Sequence, residues 1–91
     1  MSTVQQLAEA AEGNYVVLPL DVWRDQLDQA VEPASHVGRR ILADCRLGAA
    51  GATSPNVGVK KSDALAVCAM EPGSTLEVPA DPPEPVAPEP V

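Results

Sequence analysis

The chain has 91 residues, a formal net charge of −7 and 45% apolar residues, yet no Phe and only Tyr15 and Trp23 as aromatics. A length of this order excludes more than one small domain, and an apolar content made largely of Ala and Val gives a small core, since burial yields only about 25 cal/mol per Å² of apolar surface. The acidic balance excludes binding driven by nucleic-acid phosphates or by anionic membrane surfaces, both of which need a basic face.

The charge is unevenly spread. Residues 1–32 carry six acids against one base, residues 33–70 five bases against two acids, and residues 71–91 five acids and no base. The basic middle is suited to an acidic partner or to the chain's own tail, and ordinary solvated charges are the plainer reading. No stretch approaches the roughly 20 apolar residues that span a bilayer. The start of the chain lacks the pattern of a signal peptide, so a cytoplasmic protein without membrane contact is expected, with Cys45 and Cys68 as reduced thiols.

In chain order, residues 2–12 read as a short helix. Ser2 and Gln5 fit a capping box, and Val4, Leu7, Ala8 and Ala11 recur at helical spacing. Gly13-Asn14 stops it, because both residues tolerate left-handed backbone. Tyr15 to Leu18 is β-branched and aromatic, and with Pro19 behind it reads as a short edge strand. Asp21 starts the next helix, in which Trp23, Leu27, Ala30 and Val31 form one apolar stripe, Arg24 and Asp28 an i,i+4 pair, and Pro33 a stop. This strand–helix unit is expected to be the structural centre.

Ser35 is placed to cap a helix bearing Val37, Ile41, Leu42 and Cys45, with Gly48 closing it. Residues 49–56 read as a loop and Val57-Gly58-Val59 as a strand. The run Ala64 to Met70 fits a helix capped by Ser62-Asp63 and a buried strand equally well, since periodicity does not separate them over so few residues. From Glu71 onward come seven of the ten prolines with Glu and Asp between them. Missing amide donors and like-charge repulsion leave this segment neither helix nor sheet. No internal repeat long enough for a solenoid is apparent in the residues.

Chemistry-bearing constellations are sparse. Cys45, Cys68 and His36 lack the paired close spacing of a zinc site, and the two thiols lie 23 residues apart. His36 beside Arg39 and Arg40 at a helix start suits a small anion, with an exposed loop histidine as the plainer reading. Asp21, Asp25 and Asp28 read as the wet face of a helix. The serines stand in cap and turn contexts, and Gly48-Ala49-Ala50-Gly51 lacks the Lys-Ser/Thr ending of a nucleotide loop. Hence no catalytic, cofactor-binding or metal-ligating residue is assigned, no cofactor is expected, and a non-enzymatic role is.

Two stretches resemble known families. Val59 to Val67 followed by Thr75 to Ala80 looks like fragments of a biotinyl or lipoyl carrier domain. That family places a modifiable lysine between such strands. Cys68 to Ser74 contains none, so the resemblance implies no carrier chemistry here. Leu7 to Leu27 passes from an acidic helix through a Gly-Asn turn and a Val-rich strand to an Asp-capped helix. In this it resembles the later part of small bacterial antitoxins of the prevent-host-death type, without their DNA-binding start. That likeness implies an inhibitor or regulator that gains order on its target.

The expectation is therefore a small α+β domain over residues 1–70, with two or three short helices and a minimal β-sheet, best defined over 2–32. A disordered acidic, proline-rich tail follows over 71–91. The expected role is binding a protein partner, or a homo-oligomer, through Tyr15, Trp23 and Leu27, because Trp and Tyr anchor interfaces. A redox-responsive protein using Cys45 and Cys68 is a second reading. A truncated or otherwise non-native product, ordered only to about residue 32, is a third, prompted by the Ala/Gly-rich middle and the absence of Phe.

Overall fold

Thr3 begins the described structure, a computed structural model that covers residues 3–83. Its Oγ1 accepts from the Gln6 amide at 3.2 Å, and Gln6 Oε1 accepts from the Thr3 amide at 2.9 Å. This capping box opens α1 (Val4–Ala10) one residue later than the Ser2/Gln5 pair expected from sequence. The apolar stripe is unchanged by the shift: Val4 and Ala8 are buried, and Leu7 and Ala11 pack partly against them. Only Gly13 of the Gly-Asn pair takes left-handed backbone, with φ 90°.

Tyr15–Pro19 forms β1 and Asn56–Lys60 forms β2, paired antiparallel with Val17 opposite Gly58. Each strand runs straight into a helix, β1 into α2 (Leu20–Gln29) and β2 into α4 (Lys61–Ala69). Neither helix has a side-chain N-cap. Instead the Leu20 amide donates to Pro55 O and the Lys61 amide to Asn14 O, both at 2.8 Å. The ladder thus extends one bond past each strand and pairs the first free amide of each helix. Asp21 lies in the first turn of α2, where its charge suits the N-terminus, but makes no cap bond.

The remaining element, α3 (His36–Gly51), is capped as expected by Ser35, whose Oγ accepts from the Gly38 amide at 2.9 Å. It runs through Gly48 to Gly51, three residues beyond the expected stop. The run Ala64 to Met70, for which helix and strand were both open, lies in the helix α4 and its C-cap, buried on nearly every side: Ala64, Ala66, Val67, Cys68 and Ala69 are all interior. A helix surrounded by protein has no polar face and hence no readable period. Over the described residues the fold is α+β, with four helices and a two-stranded antiparallel sheet. Residues 33–70 belong to it as fully as residues 3–32.

A hidden repeat organises these elements. Adding 41 to the residue numbers carries β1 onto β2, the C-cap Ala11 onto the C-cap Ala52, and the start of α2 onto the start of α4. The strand register and the two flanking bonds, Leu20 to Pro55 and Lys61 to Asn14, are unchanged by the exchange. The chain is therefore two α–β–α halves about a pseudo-twofold axis through Val17 and Gly58. The halves interlock: α1 packs chiefly on α4, and α3 on α2. Trp23, Leu18, Leu42, Val4, Val67 and Cys68 are the largest fully buried side chains between them.

Cations from neighbouring elements close the helix ends. No helix carries a basic residue in its own last turn. Lys61 Nζ donates to Ala11 O at 3.0 Å, Arg46 to Leu27 O and Ala30 O, and Arg24 to Ala49 O at 3.0 Å. Leu27 O and Ala49 O already accept the C-cap amides of Ala30 and Ala52, so the arginines there are second donors, and all these cations oppose the negative ends of the α1, α2 and α3 dipoles. Arg24 is accordingly turned to α3 and not paired with Asp28 as the spacing suggested. Among the described residues the ion pair is Arg40–Asp44 at 4.0 Å, exposed and worth little.

After Met70 no described residue is in helix or strand, as the prolines require. The segment nevertheless lies on the domain. Leu76 and Val78 pack against the core, Ser35 Oγ donates to Pro79 O at 2.6 Å, and Asp81 Oδ1 accepts from the Val37 amide at 2.9 Å. The expectation for residues 84–91 lies outside the described residues.

Candidate functional site

The three residues expected to form a binding surface are divided by the fold. Trp23 and Leu27 are each 2% exposed and sit in the core, whereas Tyr15 is 63% exposed. They offer almost no surface of their own, although Trp23 lines a concavity toward α3 and Leu27 one beside Arg24 and Arg46. The apolar stripe of α2 is consumed inside the domain, because α3 and the ribbon cover it. Val31, expected to extend that stripe, is 55% exposed beyond the end of α2.

What remains outside is built by the pleat of the ribbon. Successive strand residues alternate between faces, and directly paired residues share one. Val16 and Leu18 of β1, with Val57 and Val59 of β2, face the core. Tyr15, Val17 and Pro19, paired with Lys60, Gly58 and Asn56, face outward. Val17 is 69% exposed. Because Gly58 opposite it has no side chain, Val17 stands beside open backbone, with Tyr15 next to it on the same face opposite Lys60. Concavities of about 480 Å³, at Gly13 to Tyr15 against Lys61 and Leu65, and about 240 Å³, toward Asp44 and Gly48 of α3, flank it. Tyr15 and Lys60 border both. Val17 was not picked out by reading residue types, since all four residues from Tyr15 to Leu18 are apolar; once packing places Val16 and Leu18 inside, the strand's period of two forces Val17 out.

The groups singled out for other chemistry do not converge on this face. Cys45 is half-buried and Cys68 buried, and both are free thiols. Burial, with Asp63 and Asp44 nearby, pushes the Cys45 thiol up to about 11. Burial, with Glu71 and Glu9, pushes Cys68 to about 11 as well. Neither is poised as a nucleophile at neutral pH. Among the described residues no group of three or more His, Cys, Asp or Glu side chains is disposed to hold a metal ion. The helix start at His36, Arg39 and Arg40 does receive an anion, supplied by the chain itself: the Asp81 carboxylate. The bond from the Val37 amide, aided by the backbone of His36 and the charges of His36 and Arg39, holds the Asp81 carboxyl below its ordinary range.

No described helix is long and apolar enough to cross a membrane. No protein-family model matches the chain, and neither a curated protein nor a solved structure is significantly similar to it.

Proposed function

We propose that this chain is a non-enzymatic protein-binding protein whose contact surface is the outer face of the β-ribbon, and that a second copy is the first occupant to test. One observation carries the reading: Tyr15 and Val17, both more than three-fifths exposed, lie side by side on the outer face of β1, with the side-chain-free Gly58 opposite Val17. Tyr is an enriched interface anchor, and a buried apolar neighbour excludes water from around it. A five-residue ribbon is only about 17 Å long. It therefore gives a contact at the weak, reversible end of the interface range, well below the roughly 800 Å² per partner of a standard complex, unless the flanking concavities join it.

The redox alternative draws no support from two thiols held neutral. The test of the proposal is an amide NMR dilution series on the intact chain. Broadening or shifts that grow with concentration at Tyr15, Val17, Gly58 and Lys60 support it. Spectra that superimpose at all concentrations exclude the second copy as occupant. Changes centred on α3 or on the 74–81 segment instead place the contact elsewhere.

A further inference from the structure

A two-stranded ribbon has two outer edges, and its hydrogen-bond pattern shows which groups stand on them. In an antiparallel pair, facing residues alternate between exchanging backbone bonds and turning their N–H and C=O away. The bonds from the Lys61 amide to Asn14 O and from the Leu20 amide to Pro55 O fix the phase of this alternation. With the observed register, Val16 bonds to Val59 and Leu18 to Val57, while Tyr15, Val17 and Pro19 direct their backbone groups away from β2. The sheet has no third strand among the described residues, and no loop amide or carbonyl there pairs with these groups.

An open edge is a template for another strand, and proteins blunt such edges with charges, bulges or proline. β1 has one of these devices, Pro19 at its end, and no charged residue. Tyr15 and Val17, 63% and 69% exposed, are of the types that favour strands. The edge of β2 is less suited. Gly58 at its centre offers no side chain to pack, and Val57 to Lys60 border the concavity toward Asp44, Cys45 and Gly48 of α3.

We infer that β1 pairs edge to edge with β1 of a second copy, antiparallel about a twofold axis at Val16, to give a four-stranded sheet in the order β2-β1-β1-β2. The inference rests on the reading that a second copy is the occupant, and it names the contact. In this register Tyr15 of each chain faces Val17 of the other, and the outward N–H and C=O of all four residues are paired, making four backbone bonds. A register centred on Val17 would instead set each Tyr15 carbonyl against Pro19, which has no amide. The two Tyr–Val pairs are of the aromatic and β-branched kind that stabilises sheets, and they join the outer faces into one apolar strip across both copies.

The test measures, on the intact ¹⁵N-labelled chain, how fast the Tyr15 and Val17 amides exchange with water as concentration is raised, beside the self-association of Val17→Pro and Val17→Thr. The expected result is exchange at both amides that slows as the associated fraction grows, since both become paired. The Val17 amide points away from β2, so a proline there removes an outward donor and no ladder bond. Val17→Pro thus loses two of the four bonds and is expected to associate about thirtyfold more weakly, at roughly fivefold for each bond. Val17→Thr keeps the amide and is expected to stay within about threefold of the wild type. Retained protection of the Leu18 amide shows that the proline variant keeps its ladder, and where it does not fold the exchange rates of the wild-type chain decide alone. Association that leaves exchange at Tyr15 and Val17 unchanged overturns the inference and leaves the outer face as the contact. So does a folded Val17→Pro that associates as tightly as the wild type. A wild-type chain that is monomeric at every concentration overturns both the inference and the reading beneath it.

Discussion

Replacing Gln26 by Met is expected to make the protein more stable. The substitution keeps an unbranched side chain of similar length, and Met and Gln have nearly equal helix propensity, so α2 itself is unaffected. What changes is the burial of a polar group: Gln26 is 8% exposed, and its Nε2 has no hydrogen-bond partner among the described residues. A buried donor without a partner costs about 1–3 kcal/mol, and an apolar group of the same shape removes that cost. The environment is already apolar: Val4 and Val22 line a concavity with it, and Trp23 and Leu27 flank Gln26 along α2. The expected gain is at least about 1 kcal/mol, or on the order of 5 °C in Tm for a domain of this size. Urea unfolding followed by Trp23 emission measures it, because Trp23 is 2% exposed and gains full solvent contact on unfolding. A higher midpoint with an unchanged slope is the expected outcome. A loss of 1 kcal/mol or more would refute the reasoning, for it would mean that Nε2 is paired in solution and that the amide is structural.

Three further outcomes follow from the structure. Gly38→Ala is expected to destabilise by about 1–3 kcal/mol, as overpacking does, because a Cβ there meets Pro33 Cγ and Ser35 Oγ at 2.7 Å and Val78 Cγ1 at 3.0 Å. Relieving the clash sacrifices either the N-cap of α3 or the seat of the 74–81 segment, and loss of the Val37–Asp81 bond in NMR distinguishes the second. Asp81 has a folded pKa below its ordinary value, so its contribution is present above the unfolded pKa of about 3.9 and lost as pH falls through the folded value. An acid titration of the Val37 amide resonance should accordingly have its midpoint below 3.9, and Asp81→Asn should fix that resonance near its acid position. Cys45 and Cys68 carry the opposite sign. Their folded pKa values of about 11 lie above the ordinary thiol value of 9.0, so their contribution is intact below pH 9 and lost as pH rises toward 11. Iodoacetamide labelling of the folded protein should rise through that window, and a rate already at its plateau at pH 8 would contradict it.

Much of the fold is legible in the residues. Pro19 at a strand end and Ser35 before a helix are local signals, and Ser35 finds its amide partner three residues on; the first cap reads as Ser2 and forms one residue later, at Thr3. The run from Tyr15 to Leu18 marks a strand but not its faces, since all four residues are apolar and only the packing sets which side is buried. The parts that were not legible depend on distant chain. The 41-residue repeat shares few residue identities, with Ala8/Ala49, Ala11/Ala52 and Val16/Val57 among them. It shows itself through equal spacing of caps, strands and helix starts, which only the backbone makes plain. Trp23 and Leu27 read as an interface because aromatic and large apolar residues anchor interfaces as well as cores; only the packing of α3 and the ribbon over α2 separates the two. Arg24 reads as a partner for Asp28 by spacing, yet the Ala49 carbonyl at the end of α3, 25 residues on, takes it as a second donor. Gln26 carried no signal beyond its place on the helix, since its burial is set by α1.

Sedimentation equilibrium on the intact chain, beside Val17→Lys, asks whether the outer face of the ribbon is a contact between copies. Position 17 is 69% exposed and points away from the core, so a lysine there leaves the domain intact and places a charge in the middle of the apolar strip. The account expects a wild-type mass that rises with concentration and a Val17→Lys mass that stays at the monomer value of 9.4 kDa. Association that persists unchanged in Val17→Lys would show that the ribbon face is not the contact, and a wild-type chain that remains monomeric at every concentration would show that a second copy is not its occupant.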